Sequence, residues 1–159
     1  MSSSQRLPLF QLAPDSYAAM RKFAQTSVQS ALRAGVAEET VHLVKVRVSQ
    51  INACPLCVEL HTREARAAGV SEARIHLLTA WEHAYEYFTE REQAALRLAE
   101  AITNVQTGAV ADDVYEAARK HYNEDQIAHL IFVSTAMNSW NRLAVSARLA
   151  PRSPDKSRT

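Results

Sequence analysis

Between Leu56 and Ala150 the chain contains no proline. The five prolines of the 159 residues stand at positions 8, 14, 55, 151 and 154, and there are only three glycines. A β protein turns its chain often, and its turns draw on Gly and Pro for their backbone angles. So turn-poor a chain is expected to be all-α. A 47% hydrophobic content supplies a core, and 22% charged residues place the chain outside the disordered class. The length favours one domain. With 18 basic and 17 acidic residues the formal charge is +1. That balance offers neither a polyelectrolyte surface for nucleic acid nor an acidic tail.

Glycine ends a helix at little steric cost because it accepts the left-handed conformation, so Gly35, Gly69 and Gly108 are natural helix stops. Ahead of Gly35, Tyr17, Met20, Ala24, Val28 and Ala31 recur at three- to four-residue spacing, which predicts an amphipathic helix over Pro14–Arg33. Val44, Val46 and Val48 alternate with polar residues as in a strand. A lone strand would have no partner, and Val41, Val44, Val48 and Ile51 also fit a helix, so a helix is expected from Ala37 to Ile51. Ser71 can cap a helix carrying Ile75, Leu78, Trp81, Tyr85 and Phe88. Thr89 with Glu92 has capping-box spacing ahead of Ala95, Leu98, Ala99 and Ile102. A short helix follows over Asp112–His121, and Asn123 with Gln126 opens a long, largely buried final helix.

The expected organisation is an N-terminal arm over residues 1–13, a helical domain over 14–150, and a frayed tail over 151–159 rich in Pro and charge. The Ser-rich opening lacks the apolar run of a signal peptide, and charges interrupt every other apolar run before a membrane span. A soluble cytoplasmic protein with no membrane partner is expected. In that compartment thiols stay reduced, so two cysteines point to chemistry more than to architecture.

The chemistry lies in Asn52-Ala53-Cys54-Pro55-Leu56-Cys57-Val58-Glu59-Leu60-His61. Proline is favoured at the first position of a helix, which makes Cys54 the expected N-cap and Cys57 the third helical residue. Unpaired amides and the positive end of the helix dipole there lower a thiol pKa. Cys54, Cys57 and His61 stand at i, i+3 and i+7, on one stripe of the helix. A thiol pair with an imidazole in reach is a redox or nucleophilic arrangement. Other readings of the same residues are two buried small hydrophobes, or a zinc site using Cys54, Cys57, His61 and a fourth ligand such as His42. A thioredoxin-like site would need a βαβ context that this helical pattern lacks.

The run from Arg47 through Ala65 resembles the core of the AhpD-like alkylhydroperoxidases of the carboxymuconolactone decarboxylase superfamily. The resemblance extends through Trp81, Thr89-Glu90-Arg91-Glu92 and Asn138-Ser139-Trp140-Asn141-Arg142-Leu143-Ala144, covering roughly residues 8–148. It implies a single-domain, all-α AhpD-like helical bundle that assembles as a homo-oligomer, commonly a trimer or hexamer. It further implies that Cys57 is the peroxidatic cysteine attacking a small-molecule hydroperoxide, Cys54 the resolving cysteine that closes a disulfide with it, and His61 the base. A dithiol or lipoyl-bearing protein would act as reductant, and no metal, haem or flavin cofactor would be needed.

The chain departs from this family at two positions. The family relay begins with a Glu twelve residues before the first motif cysteine, where this sequence has His42, and some members carry a His where Leu56 stands. A neutral imidazole at 42 can pass a proton but cannot hold His61 as a carboxylate would. Glu59, Glu64 and Glu82 could each supply a carboxylate, but a solvated helix face is the expected place of each. His76, His83, His121 and His129 lack partners at motif spacing. Trp81, Trp140, Asn138 and Asn141 are expected in packing and helix–helix or subunit contacts. Two other functions remain open: a redox sensor or partner-binding protein whose disulfide switches its assembly, and a lactone decarboxylase, a branch that does not rely on a Cys-x-x-Cys pair.

Overall fold

The computed structural model describes residues 6–151. The rest of the tail expected from sequence, residues 152–159, lies outside the described residues, as do residues 1–5. Eight α-helices follow one another, and no strand occurs among the described residues: α1 (Leu9–Leu12), α2 (Pro14–Arg33), α3 (Glu38–Ile51), α4 (Pro55–Ala67), α5 (Glu72–Leu77), α6 (Glu90–Thr103), α7 (Asp112–Arg119) and α8 (Glu124–Ala147). Within the stretch read as an arm, α1 forms one helical turn, and the Arg6 amide donates to Ala147 O at 2.9 Å.

The strand-like alternation in α3 has a simple origin. This helix is central and packs against α4, α6 and α8. Val41, Leu43, Val44, Val46 and Val48 are fully buried, on both sides of the helix. Val41, Val44 and Val48 join the larger core with Leu98, Leu130 and Val133, while Leu43 and Val46 join a second cluster with Leu78, Trp81, Phe88 and Leu96. Burying each such side chain contributes about 1.5–3 kcal/mol. The two cations between them reach carboxylates across the helix interface: Lys45 Nζ lies 2.5 Å from Glu64 Oε2, and Arg47 Nε lies 2.5 Å from Glu100 Oε1.

Helix starts follow the sequence closely. Thr89 with Glu92, and Asn123 with Gln126, form reciprocal capping boxes, and the Ser71 hydroxyl accepts from the Arg74 amide. Helix ends share one design. At Gly35, Gly69, Ala53 and Arg148 the backbone enters the left-handed region, with φ of 83°, 93°, 50° and 52°. In each case the next residue's amide bonds back five residues, as Val36 does to Ala31 O and Cys54 to Ser49 O, both at 3.0 Å. These are Schellman ends, which satisfy the last carbonyls of the helix.

Two expectations are corrected. The helix begun by Ser71 does not run on to Phe88. It ends at Leu77, and 3₁₀ turns over Leu78–His83 and Tyr85–Tyr87 carry the chain onward, with Ala80 outside helical angles. A straight helix would place Tyr85 on the same face as Leu78, Trp81 and Phe88. The irregular path turns all three into the second cluster and leaves Tyr85 and Tyr87 exposed. Nor does Gly108 end a helix: α6 closes at Thr103, and Gly108 is extended at φ 167° with open space around it.

Candidate redox site

The site is built on the tight connection between α3 and α4. The Schellman end places Ala53 in the left-handed region and turns the chain so that Cys54 caps α4, with Pro55 at the first helical position. The Cys57 amide lies 3.4 Å from Cys54 Sγ, an N-cap contact made by sulfur in place of oxygen. The two sulfurs are joined as a disulfide, with Cα atoms 5.3 Å apart. Both cysteines are buried. Among the described residues no group of three or more His, Cys, Asp or Glu side chains could hold a metal ion, so the zinc reading of Cys54, Cys57, His61 and His42 finds no support.

Ala53 sits where glycine sits at two of the other helix ends. The left-handed conformation costs a residue with a Cβ about 1–2 kcal/mol, partly offset by the greater freedom glycine loses on folding, about 0.4–1 kcal/mol. Ala53→Gly is therefore expected to stabilise the protein by about 0.5–1 kcal/mol, read as a higher urea midpoint at unchanged slope. A lower midpoint would show that the turn is not strained.

A polar cluster from the far end of the chain clamps this turn. Asn52 Nδ2 lies 3.1 Å from Val48 O, 2.8 Å from Asn138 Oδ1 and 3.0 Å from Asn141 Oδ1. Asn141 Nδ2 donates to Ser49 Oγ at 3.2 Å, and Asn138 Nδ2 to Thr103 Oγ1 at 3.0 Å. The buried asparagines of α8 thus find their partners within the chain, as buried amides must.

His61 lies one turn beyond Cys57 on α4. Helical side chains lean toward the helix N-terminus, so its imidazole covers the turn that carries Cys57. His61 Nδ1 is 2.8 Å from Glu64 Oε2, the oxygen that also takes Lys45. Burial holds the His61 pKa below its ordinary value; the Glu64 hydrogen bond works against this, and Lys45 works with it. The ring is thus neutral near pH 7, and a carboxylate can accept only from Nδ1–H, which leaves Nε2 as the proton acceptor. Burial alone would raise Glu64, but hydrogen bonds from His61 and Lys45 bring it down to about 2.

His42 shares this neighbourhood without joining it closely. Its Nδ1 is 3.8 Å from Glu64 Oε2 and buried without a hydrogen-bond partner, and its Nε2 is 3.7 Å from Glu38. Burial, then Lys45, keeps its pKa low. Of the three glutamates that could supply a carboxylate, Glu64 is the one the structure brings to His61. Placed on a solvated face by its type, it is instead only partly exposed and the meeting point of three side chains. The legible signal was its i+3 spacing from His61. Glu59 pairs with Arg63 at 3.2 Å on the surface, and Glu82 is exposed.

A cavity of about 530 Å³ opens beside these groups between α2, α4 and α8. Cys57, His61, Lys45 and Glu64 form one wall, and Leu56, Val133, Met137 and Trp140 contribute an apolar lining. Trp140 also packs edge-on against Tyr17 of α2, with ring centres 5.3 Å apart. Trp81, by contrast, is a core residue remote from this lining.

The sequence model of the carboxymuconolactone decarboxylase family matches residues 14–101. The chain is 36% identical over 143 residues to the uncharacterized protein YdfG of Bacillus subtilis, covering 90% of this chain and 94% of that protein. It is similar to a crystal structure from Agrobacterium tumefaciens, a protein of unknown function described as a candidate antioxidant defence protein AhpD. That match has a TM-score of 0.88 at 31% identity, over 95% of this chain and 100% of the other. An uncharacterized peroxidase-related protein from Silicibacter sp. TM1040 shares the fold, with a TM-score of 0.67 at 18% identity over 96% of this chain and 91% of the other.

Proposed function

Because the chain belongs to the carboxymuconolactone decarboxylase family, as an AhpD-like member, we propose that it reduces hydroperoxides by thiol–disulfide chemistry at Cys54 and Cys57. The observation that carries this reading is the Cys54–Cys57 pair at the start of α4, with Cys57 on the wall of an apolar cavity and His61 one turn away on the same wall. His61 Nε2 takes the Cys57 proton. The thiolate attacks the terminal oxygen of the hydroperoxide, an S–O bond forms, the O–O bond breaks, and the alcohol leaves with the proton returned by His61. The Cys54 thiol then attacks the Cys57 sulfenic sulfur, closing the S–S bond and releasing water. A dithiol, in the family a lipoyl-bearing protein, returns two electrons and two protons. His42, read from sequence as a relay member, stands outside this path. A homo-oligomer, trimeric or hexameric, working in the cytoplasm, belongs to the same proposal.

Turnover is favoured over a redox switch because both sulfurs lie within the first turn of one helix. Their bond draws no second element of the fold toward it. The reduced protein, treated with cumene hydroperoxide, is expected to lose two hydrogens in intact mass, to yield a Cys54–Cys57 peptide, and to be restored by dihydrolipoamide. The apolar lining should make cumene hydroperoxide about tenfold faster than hydrogen peroxide. Absence of the disulfide under mild oxidation would overturn the proposal.

A further inference from the structure

We propose that Glu64, pinned by Lys45, is the residue that positions His61, so that histidine and carboxylate come from one helix, with the cation supplied by α3. This rests on the proposed thiol chemistry only in what His61 serves. The geometry stands by itself.

Among the described residues, Glu64 is the carboxylate in hydrogen-bond contact with His61, at 2.8 Å. An i, i+3 pair on an exposed helix face would be one rotamer among several and worth little. Here the third partner decides the matter. Lys45 Nζ, from the buried face of α3, lies 2.5 Å from the same Oε2, so the carboxylate is held from two helices at once. The groups facing His61 are few: Lys45 and His42 from α3, with Glu38 behind His42, and Cys57 and Glu64 from α4. From α2, Arg21 lines the cavity, and the cavity residues of α8 are uncharged. Among the described residues, no other acid is in hydrogen-bond contact with His61 Nδ1.

A carboxylate at Nδ1 does two things. It fixes the tautomer with Nε2 unprotonated, and it stabilises the imidazolium formed when Nε2 accepts a proton. Lys45 keeps Glu64 ionised through the working pH range while cancelling its charge in the cavity wall. The side chain at position 42 approaches the same spot, because His42 Nδ1 is 3.8 Å from Glu64 Oε2. A glutamate at position 42 therefore has the reach to replace the missing acid if Glu64 is neutralised.

The test follows the ring itself, by long-range ¹H–¹⁵N spectra of the full-length reduced protein. Wild type should show His61 protonated at Nδ1. Glu64→Gln should shift the ring toward the Nε2–H tautomer, lower its titration midpoint by about one unit, and slow Cys57 oxidation about tenfold, with a near-wild-type circular dichroism spectrum. The lower midpoint has a defined sign: a stabilising anion is lost and Lys45 is left unpaired, and both disfavour the imidazolium. The unpaired Lys45 would itself favour a Cys57 thiolate, which makes the tautomer, and not the thiol pKa, the deciding signal. The double variant H42E/E64Q should restore the Nδ1–H tautomer and most of the rate. An unchanged tautomer and midpoint in Glu64→Gln would overturn the positioning role, as would loss of rate with no change in the ring that H42E fails to rescue. If the ring responds as expected while cumene hydroperoxide yields no disulfide in wild type, the positioning role stands and the peroxidase reading falls.

Discussion

Cys57→Ser is expected to abolish the disulfide and to lower hydroperoxide consumption, measured with a dithiol reductant, by at least about a hundredfold. A serine hydroxyl in this site has no accessible anion near neutral pH, and His61, kept below its ordinary pKa by burial, is too weak a base to create one. The substitution is nearly isosteric at a buried position, so the thermal midpoint should move little and the loss can be read as chemistry. Cys54→Ser is the informative contrast. It leaves the attacking sulfur in place but removes the group that resolves it, so the variant should consume about one equivalent of hydroperoxide and then stop. Consumption by Cys57→Ser at the wild-type rate would sink the assignment of the attacking residue.

The second large effect falls on stability. Trp81 is 1% exposed, and its indole N–H donates to Glu100 Oε1 at 2.8 Å. The Arg97 guanidinium lies over the indole, 5.6 Å from the ring centre. Trp81→Ala would leave a cavity in the second cluster and deprive a partly buried carboxylate of one of its two donors, the other being Arg47. A loss of about 3–5 kcal/mol is expected, with a fall of about 10 °C or more in the thermal midpoint. The disulfide should still form in the folded fraction, since Trp81 lies outside the cavity lining. A loss below about 1 kcal/mol would mean that the 3₁₀ segment is packed far more loosely than its burial indicates.

What could be read from sequence divides along a physical line. Features set by neighbours within four residues were legible: the caps at Ser71, Thr89 and Asn123, the stops at Gly35 and Gly69, and Pro55 opening α4 with Cys54 as its cap. Features decided by distant packing were not. The valines of α3 gave a mixed signal, strand-like in alternation because the helix is buried on both sides, and only their helical spacing and the lack of a partner strand led to the helix found there. The break after Leu77 depends on where Trp81 and Phe88 must go to meet α3 and α6, which local propensity does not encode. Gly108 carries no conformational demand, so its type misled. Glu64 could not be told from Glu59 and Glu82 for a related reason: its residue type says solvent, and only the approach of Lys45 from α3 gives it a fixed place.

The clamp on the cysteine turn also sets an order of assembly. The turn at Asn52 is synthesised early, yet the amides that hold it, from Asn138 and Asn141, lie 86 and 89 residues further along the chain. Closing so long a loop comes late in folding, after local helices have formed. During synthesis, then, the thiols exist for most of the chain's elongation without the framework that would orient them. The last helix completes the site as well as the bundle, so the geometry proposed for catalysis is available only to chains that have finished folding.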